Sequence, residues 1–250
     1  MSRWQLAPAL PVAAREAFAD LTQVFALEGE RVASDQVSEV LRVRVAGLEY
    51  YVKRYWAAGK GLRRWLGTPR IQAEWRNLQR FARWGIASAP IAACGLERRR
   101  GLFVRGAMIT CALVGTRDLA AMASLAVPSR RDPRLKDPRW VHGVSAQIAR
   151  ATRCLHDHHF THNDLKWRNL LVDEAGKVYL IDCPSGSFWW GPLLQRRIVK
   201  DLACLDKVGK YVLSRSQRLR FYLQYRERSR LLAADKRCIR QIVGYFEGRE

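Results

Sequence analysis

The sequence predicts an α+β fold in two lobes: a small antiparallel-sheet N-terminal lobe with one main helix, then a mostly helical C-terminal lobe. Three observations carry this. Apolar and polar residues alternate with a period of two over Glu39–Trp56, as in half-buried strands. From Asp118 onward the period lengthens to that of amphipathic helices. One strand pair, "NLLVDEAGKVYLIDC", interrupts the helical half. The join falls near residues 112–118, giving lobes of residues 1–114 and 115–250.

Residues 11–26 read as a short amphipathic helix. "EVLRVRVAGLEYYVKRYW" (Glu39–Trp56) alternates about Ala46-Gly47, a hairpin signature. "AAGKGLRRWLGTPR" is a basic, glycine-punctuated loop. Thr68 then suits a helix N-cap and Pro69 the first helical position, with Ile71, Trp75, Leu78, Phe81 and Ala82 at helical spacing and Gly85 as the stop. Two strands follow, with a turn at Glu97–Gly101. In "VSAQIARATRCLHDHH", Val144, Ile148, Ala151 and Leu155 share a helix face, and the next hairpin bends at Ala175-Gly176. The last 50 residues read as Arg-rich helices.

Composition narrows the function classes. With 48% hydrophobic residues the chain folds rather than remaining disordered. Lys and Arg outnumber Asp and Glu 44 to 23, a net charge of +21, which favours anionic partners such as an acidic lipid surface, a phosphorylated glycan or nucleic acid. The uncharged run near Gly106–Thr116 is shorter than the roughly 20 apolar residues that span a bilayer, and the opening residues carry no long apolar leader. Cys94, Cys111, Cys154, Cys183, Cys204 and Cys238 are scattered without a C-x-x-C, as expected of free thiols in a cytoplasmic protein rather than a zinc ribbon or disulfide scaffold.

The chemistry concentrates in "THNDLKWRNLLVDEAGKVYLID". His162, Asp164 and Asn169 have the spacing of the H-R-D-L-x-x-x-N phosphotransfer loop, with Asn163 in place of Arg, and Asp182 closes the following hairpin. Phosphoryl transfer asks for one carboxylate to take the acceptor proton and oxygen ligands to hold Mg²⁺ on the nucleotide. Upstream, Lys53 on a strand and Glu74 early in the next helix suit a phosphate-binding lysine and its partner. The plain alternatives are a solvated loop for Asp164, Asn169 and Asp182, a surface lysine at 53, and a Glu74 paired along its own helix with Arg70. His156, His158 and His159 lack companions at metal-ligand spacing and read as polar residues at a helix end, while His162 braces the loop.

Through "YYVKRYW", "QAEWRNLQRF", "MITCALVGTRDL", "THNDLKWRNLLV", "VYLIDCPSG" and "KDLACLDKVGKYVLSRSQRLRFYLQY", the chain resembles the lipopolysaccharide core kinases, the Kdo/WaaP-like branch of the protein-kinase-like superfamily. The resemblance covers roughly residues 30–230. It implies a bilobal kinase fold, with a nucleotide-binding sheet and helix in the first lobe and the catalytic loop and Mg²⁺-binding hairpin in the second. It also implies ATP and Mg²⁺ as cofactors, and phosphorylation of a heptose or Kdo of the core glycolipid at the inner face of the cytoplasmic membrane. Asp164 then corresponds to the catalytic aspartate, Lys166 to the lysine that reaches the γ-phosphate, Asn169 and Asp182 to the Mg²⁺ ligands, and Lys53 with Glu74 to the nucleotide-phosphate pair.

Departures from the pattern also carry meaning. Asp-Cys-Pro stands for D-F-G, Asn163 removes the arginine that reads a phosphorylated loop, and no A-P-E follows, which implies a constitutive enzyme. The glycine loop is reduced to "LEGERVASDQVSEVL" with Gly29 alone, leaving Ser34 or Ser38 as candidate phosphate donors. Lys60, Arg63, Arg64 and Arg98–Arg100 suit phosphates of a glycolipid or membrane surface as well as they suit solvated faces. Trp189-Trp190 read equally as core or as a sugar-stacking, interfacial platform. Nucleic acid is not the expected partner. Two other readings fit the same residues: a protein or small-metabolite kinase of this fold, and a non-catalytic module binding anionic surfaces.

Overall fold

A computed structural model describes residues 2–59 and 67–248. The chain divides into two compact units, Met1–Ala82 with Ser88–Leu113, and Arg83–Ala87 with Val114–Glu250. A single cut at 114/115 therefore misplaces Arg83–Ala87. That segment joins the second unit because Trp84 stacks on His158 (4.4 Å between ring centres) and the Ala87 carbonyl accepts from Leu180 N (2.8 Å).

The first unit contains β1 (Ser2–Leu6), α1 (Val12–Ala17), α2 (Leu21–Ala26), β2 (Glu30–Ser34), β3 (Ser38–Val45), β4 (Leu48–Tyr55), α3 (Arg70–Arg83), β5 (Ile91–Arg99) and β6 (Leu102–Cys111). Among the described residues its six strands form one antiparallel sheet, ordered β1-β5-β6-β4-β3-β2. Both hairpins close on two-residue turns with positive φ at each position, Ala46 (50°) with Gly47 (79°) and Arg100 (51°) with Gly101 (81°). That backbone matches the right-handed twist of the flanking strands.

The helix expected over 11–26 is two. Asp20 breaks it, its carboxylate capping α2 through Gln23 N (2.9 Å), because a short acceptor side chain competes for main-chain donors. Phe18 and Leu21 on either side of the break still bury against Tyr50 and Val52 of the sheet. Strands β1 and β2 are edge strands that periodicity does not reveal; every residue of β2 is exposed, so it has no apolar alternation to read. Helix α3 starts one residue later than expected, with the Pro69 carbonyl accepting from Ala73 N (3.0 Å). Its buried stripe is Ile71, Glu74, Asn77, Leu78 and Phe81, whereas Trp75 is half-buried and Ala82 exposed.

The second unit contains β7 (Arg117–Asp118), α4 (Leu119–Ala123), α5 (Pro138–Asp157), β8 (Phe160–Thr161), β9 (Leu170–Val172), β10 (Val178–Leu180), β11 (Ser187–Phe188), α6 (Gly191–Val212), α7 (Arg215–Arg226) and α8 (Ala233–Val243). Its helices bury Ala149, Leu202, Ala203, Tyr222, Tyr225 and Ile242 together. The β9–β10 hairpin pairs Leu170 with Leu180, which fixes the residues just outside that pair, Asn169 and Ile181, side by side. Burial pushes the thiols of Cys94 and Cys204 up to about 11, and none of the six cysteines is in a disulfide.

Candidate active site

Lys53 lies on β4, paired across the sheet with Val40 and Met108. Its ammonium donates to both carboxylate oxygens of Glu74, at 2.9 Å each. Glu74 occupies a core position of α3 and is 2% exposed. A carboxylate so buried persists only when paired and hydrogen-bonded, and the Tyr55 hydroxyl supplies a further bond to Oε2 (3.0 Å). Tyr55 is two residues beyond Lys53 on the same strand face. Burial, then the Glu74 charge, pushes its phenol pKa far up, so it remains a donor. Arg70, the same-helix alternative for Glu74, faces Asp35 instead (3.8 Å).

In the second unit the loop from Phe160 to Asn169 is held from below by Asp201 of α6, which is fully buried. One carboxylate oxygen accepts from His162 N (2.7 Å) and the other from Asn163 N (2.8 Å). Asn163 adopts the left-handed conformation (φ 64°), which Asn tolerates better than most residues. Its side-chain amide donates to the Ser185 carbonyl (2.8 Å) and to Ser187 Oγ (3.1 Å), tying the loop to the segment after Asp182. Asp164 follows and presents its carboxylate, 28% exposed, to Lys166 Nζ (2.6 Å) and Arg168 (3.7 Å).

Asn169 Nδ2 donates to the Asp164 carbonyl (2.8 Å), which leaves Oδ1 as the atom able to face a cation. The Asn169 carbonyl accepts from Ile181 N (3.0 Å), placing Asp182 one residue beyond, at the same end of the hairpin and in the left-handed region (φ 55°). Asp164, Lys166, Asn169 and Asp182 thus gather at one end of the β9–β10 hairpin, while Lys53 and Glu74 form a separate pair in the first unit.

The family model for the lipopolysaccharide kinase (Kdo/WaaP) family matches residues 20–225. The chain belongs to that family. It is a kinase, a transferase of lipopolysaccharide biosynthesis, and membership implies ATP as phosphoryl donor. A solved structure described as WaaP in complex with acyl carrier protein is similar at a TM-score of 0.73, with 22% identity over 98% of this chain and 96% of that one. At that identity the likeness speaks for the fold, a mixed α/β architecture with an antiparallel sheet first and helices after. A comparison with curated proteins gave no match.

The geometry of this kinase revises several expectations. His156 does lie in the last turn of α5, but it is buried, sharing a 2.8 Å hydrogen bond with the Tyr225 hydroxyl and lying 3.5 Å from Asp201. His158 donates to the Cys154 carbonyl (2.8 Å) at the end of α5. His162 is completely buried, and burial lowers its pKa, so the neutral ring packs beneath the loop. Gly29 is required by packing: a Cβ there would lie 2.5 Å from the Arg42 carbonyl oxygen. The Ser38 hydroxyl donates to Asp35 Oδ1 (3.0 Å), which also accepts from the Val37 and Ser38 amides, whereas Ser34 is exposed on β2. Lys60, Arg63 and Arg64 lie outside the described residues.

Sequence reasoning missed Tyr55, Tyr225 and above all Asp201. The available signal was an aspartate inside the buried run Asp201–Leu205 of α6, since an ionised residue at a core position is rarely there for packing alone.

Proposed function

We propose that this chain transfers the γ-phosphoryl group of ATP to a sugar hydroxyl, on a heptose or Kdo, of the lipopolysaccharide inner core, at the inner face of the cytoplasmic membrane. The observation that carries it is the bidentate Lys53–Glu74 pair in a family member that also gathers Asp164, Asn169 and Asp182 at one hairpin end. Asp164 orients the acceptor hydroxyl and takes its proton as the new O–P bond forms and the bond to the departing ADP oxygen breaks. Lys53, aligned by Glu74, binds the nucleotide phosphates. Lys166 offsets charge on the transferred group.

Asn169 and Asp182 would hold Mg²⁺. The donor set fits that ion, which takes one or two protein oxygens and completes its shell with water and phosphate. Bound there, Mg²⁺ would neutralise charge developing on the phosphates. Asn163 locks the loop to Ser185 and Ser187 without an arginine, which supports an enzyme needing no activating phosphorylation. Family membership favours a glycolipid acceptor over a protein or a small metabolite, and favours catalysis over a non-catalytic module.

The test is label transfer from ATP to purified core glycolipid, with protein acceptors as control. Wild type is expected to label only the glycolipid. Lys53→Met is expected to lower kcat/KM for ATP by about 10²-fold, the scale of losing a charged phosphate contact in a dry site. It should also cost about 1–3 kcal/mol of stability by removing the cation paired with the buried Glu74 carboxylate. Labelling of protein but not glycolipid, or wild-type ATP kinetics in Lys53→Met, refutes the reading.

A carrier-protein partner is the second part of the proposal. WaaP was solved with acyl carrier protein, and the second unit of this chain holds an apolar cavity of about 440 Å³ lined by Leu119, Leu135, Val144, Ile148, Leu205 and Leu213 among others. Ser145, Arg215 and the Asp206–Arg218 ion pair also line it, so its apolar wall suits an aliphatic chain and its polar wall a head group. Acylated carrier is expected to raise Tm by mass action, and unacylated carrier to do so less. Equal shifts from both would remove the acyl chain from the argument.

A further inference from the structure

The segment between Asp182 and Asp201, "CPSGSFWWGPLLQRRIVK", contains no acidic residue and includes Arg196, Arg197 and Lys200. Trp190 is 67% exposed and Leu193 57% exposed, with Gly191 and Pro192 exposed between them. Trp190 is nonetheless braced. Its ring stacks on Phe188 (6.4 Å, 24°), and Phe188 packs edge-on against Phe160 (5.3 Å) and Trp84 (6.3 Å). Phe160 is fully buried, so the exposed indole stands on a column rooted in the core.

Behind this tip the surface turns basic. Leu193, Arg196, Arg197 and Lys200 follow the i, i+3, i+4, i+7 spacing of a single helix face on α6. Arg196 is exposed, and the Arg197 guanidinium lies 4.5 Å from the Trp189 ring centre. An isolated exposed apolar residue needs no explanation, but a contiguous, pre-braced apolar tip beside a one-signed basic face does. Trp with Leu at the headgroup level and Arg and Lys toward anionic phosphates is the composition of an interfacial anchor. Among the described residues no helix is long and apolar enough to cross a membrane.

We propose that the Trp190–Leu193 tip and the Arg196/Arg197/Lys200 face form a peripheral docking surface for an anionic phospholipid bilayer. It would hold the segment that follows Asp182 against the membrane that carries the acceptor. The inference rests on the glycolipid reading for its purpose, but not for its physics.

The experiment uses the full chain and two assays. Sedimentation with vesicles of phosphatidylethanolamine and phosphatidylglycerol, against phosphatidylcholine alone, reads docking. Turnover of vesicle-embedded core glycolipid, against the same acceptor deacylated and soluble, reads function. Wild type is expected to bind the anionic vesicles only. The double variant Trp190→Ser/Leu193→Ser should bind about tenfold more weakly, losing the same factor in kcat/KM on the embedded acceptor and none on the soluble one. Arg196→Glu, an exposed change that leaves the tip intact, should weaken binding about tenfold and flatten its salt dependence.

Wild-type binding by both variants overturns the proposal. So does equal wild-type binding to neutral vesicles, or a concentration-dependent dimer that the double variant abolishes, which would make the tip a self-contact. Vesicle binding that the variants lose, with neither acceptor phosphorylated by wild type, leaves the docking surface standing and sinks the glycolipid reading instead.

Discussion

Replacing Asp164 by Asn is expected to lower kcat for phosphoryl transfer by about 10²–10⁴-fold, the range for removing a positioned proton acceptor. The fold should be indifferent. Asp164 is 28% exposed and its ion-pair partner Lys166 is 46% exposed, and pairs this open to water contribute under about 1 kcal/mol. Asn also preserves shape and one accepting oxygen. KM for ATP should change little, because the role proposed for Asp164 is on the acceptor hydroxyl rather than on the nucleotide. Steady-state kinetics with a melting curve on the same preparation decide the matter. A variant with near-wild-type kcat would remove Asp164 from the mechanism, whereas a large fall in Tm would mean that the loop, not the chemistry, had been damaged.

Asp201→Ala is expected to do the reverse, acting on structure first. Its carboxylate is fully buried and accepts main-chain hydrogen bonds from His162 (2.7 Å) and Asn163 (2.8 Å). Hydrogen bonds to a charged group are worth roughly 1.5–3 kcal/mol each, so losing two costs about 3–6 kcal/mol. Removing the side chain also leaves two buried N–H groups without acceptors. Denaturant unfolding should show that loss, with activity falling because the loop carrying Asp164 is no longer held. Asp201→Asn keeps one accepting oxygen and should recover about half of the stability. Wild-type stability in Asp201→Ala would show that these bonds are replaced rather than lost.

The two variants mark where sequence reading succeeds and where it stops. Asp164, Asn169 and Asp182 are legible as a group because they lie within one loop and one hairpin. Over 18 residues, spacing nearly determines geometry, and the Leu170–Leu180 register does the rest. Lys53 and Glu74 are legible for a related reason: each is placed by the period of its own element, a strand face and a helix stripe. Asp201 is not. It reaches His162 from 39 positions along the chain, and its place in an apolar run of α6 can signal burial but not which loop its carboxylate holds. Tyr55 and Tyr225 share that fate, since the value of each hydroxyl depends on what the tertiary fold brings to it.

The same division runs through the fold. Turn chemistry at Ala46-Gly47 and Gly101, together with apolar alternation in β3 and β4, is enough to mark the central hairpins. The edge strand β2 has no buried residue, and the break at Asp20 depends on one capping bond, so neither leaves a periodic trace. What the sequence by itself determined is the class of fold, the order of its parts and the residue types a phosphotransferase requires. The tertiary structure decided which of those side chains are held rigid, which buried carboxylate holds them, and that Trp190 stands outside the core on a column of packed rings. Periodicity records whether a residue faces its own element's apolar side. Burial, pairing and exposure are set by neighbours distant in sequence, which only the folded chain assembles.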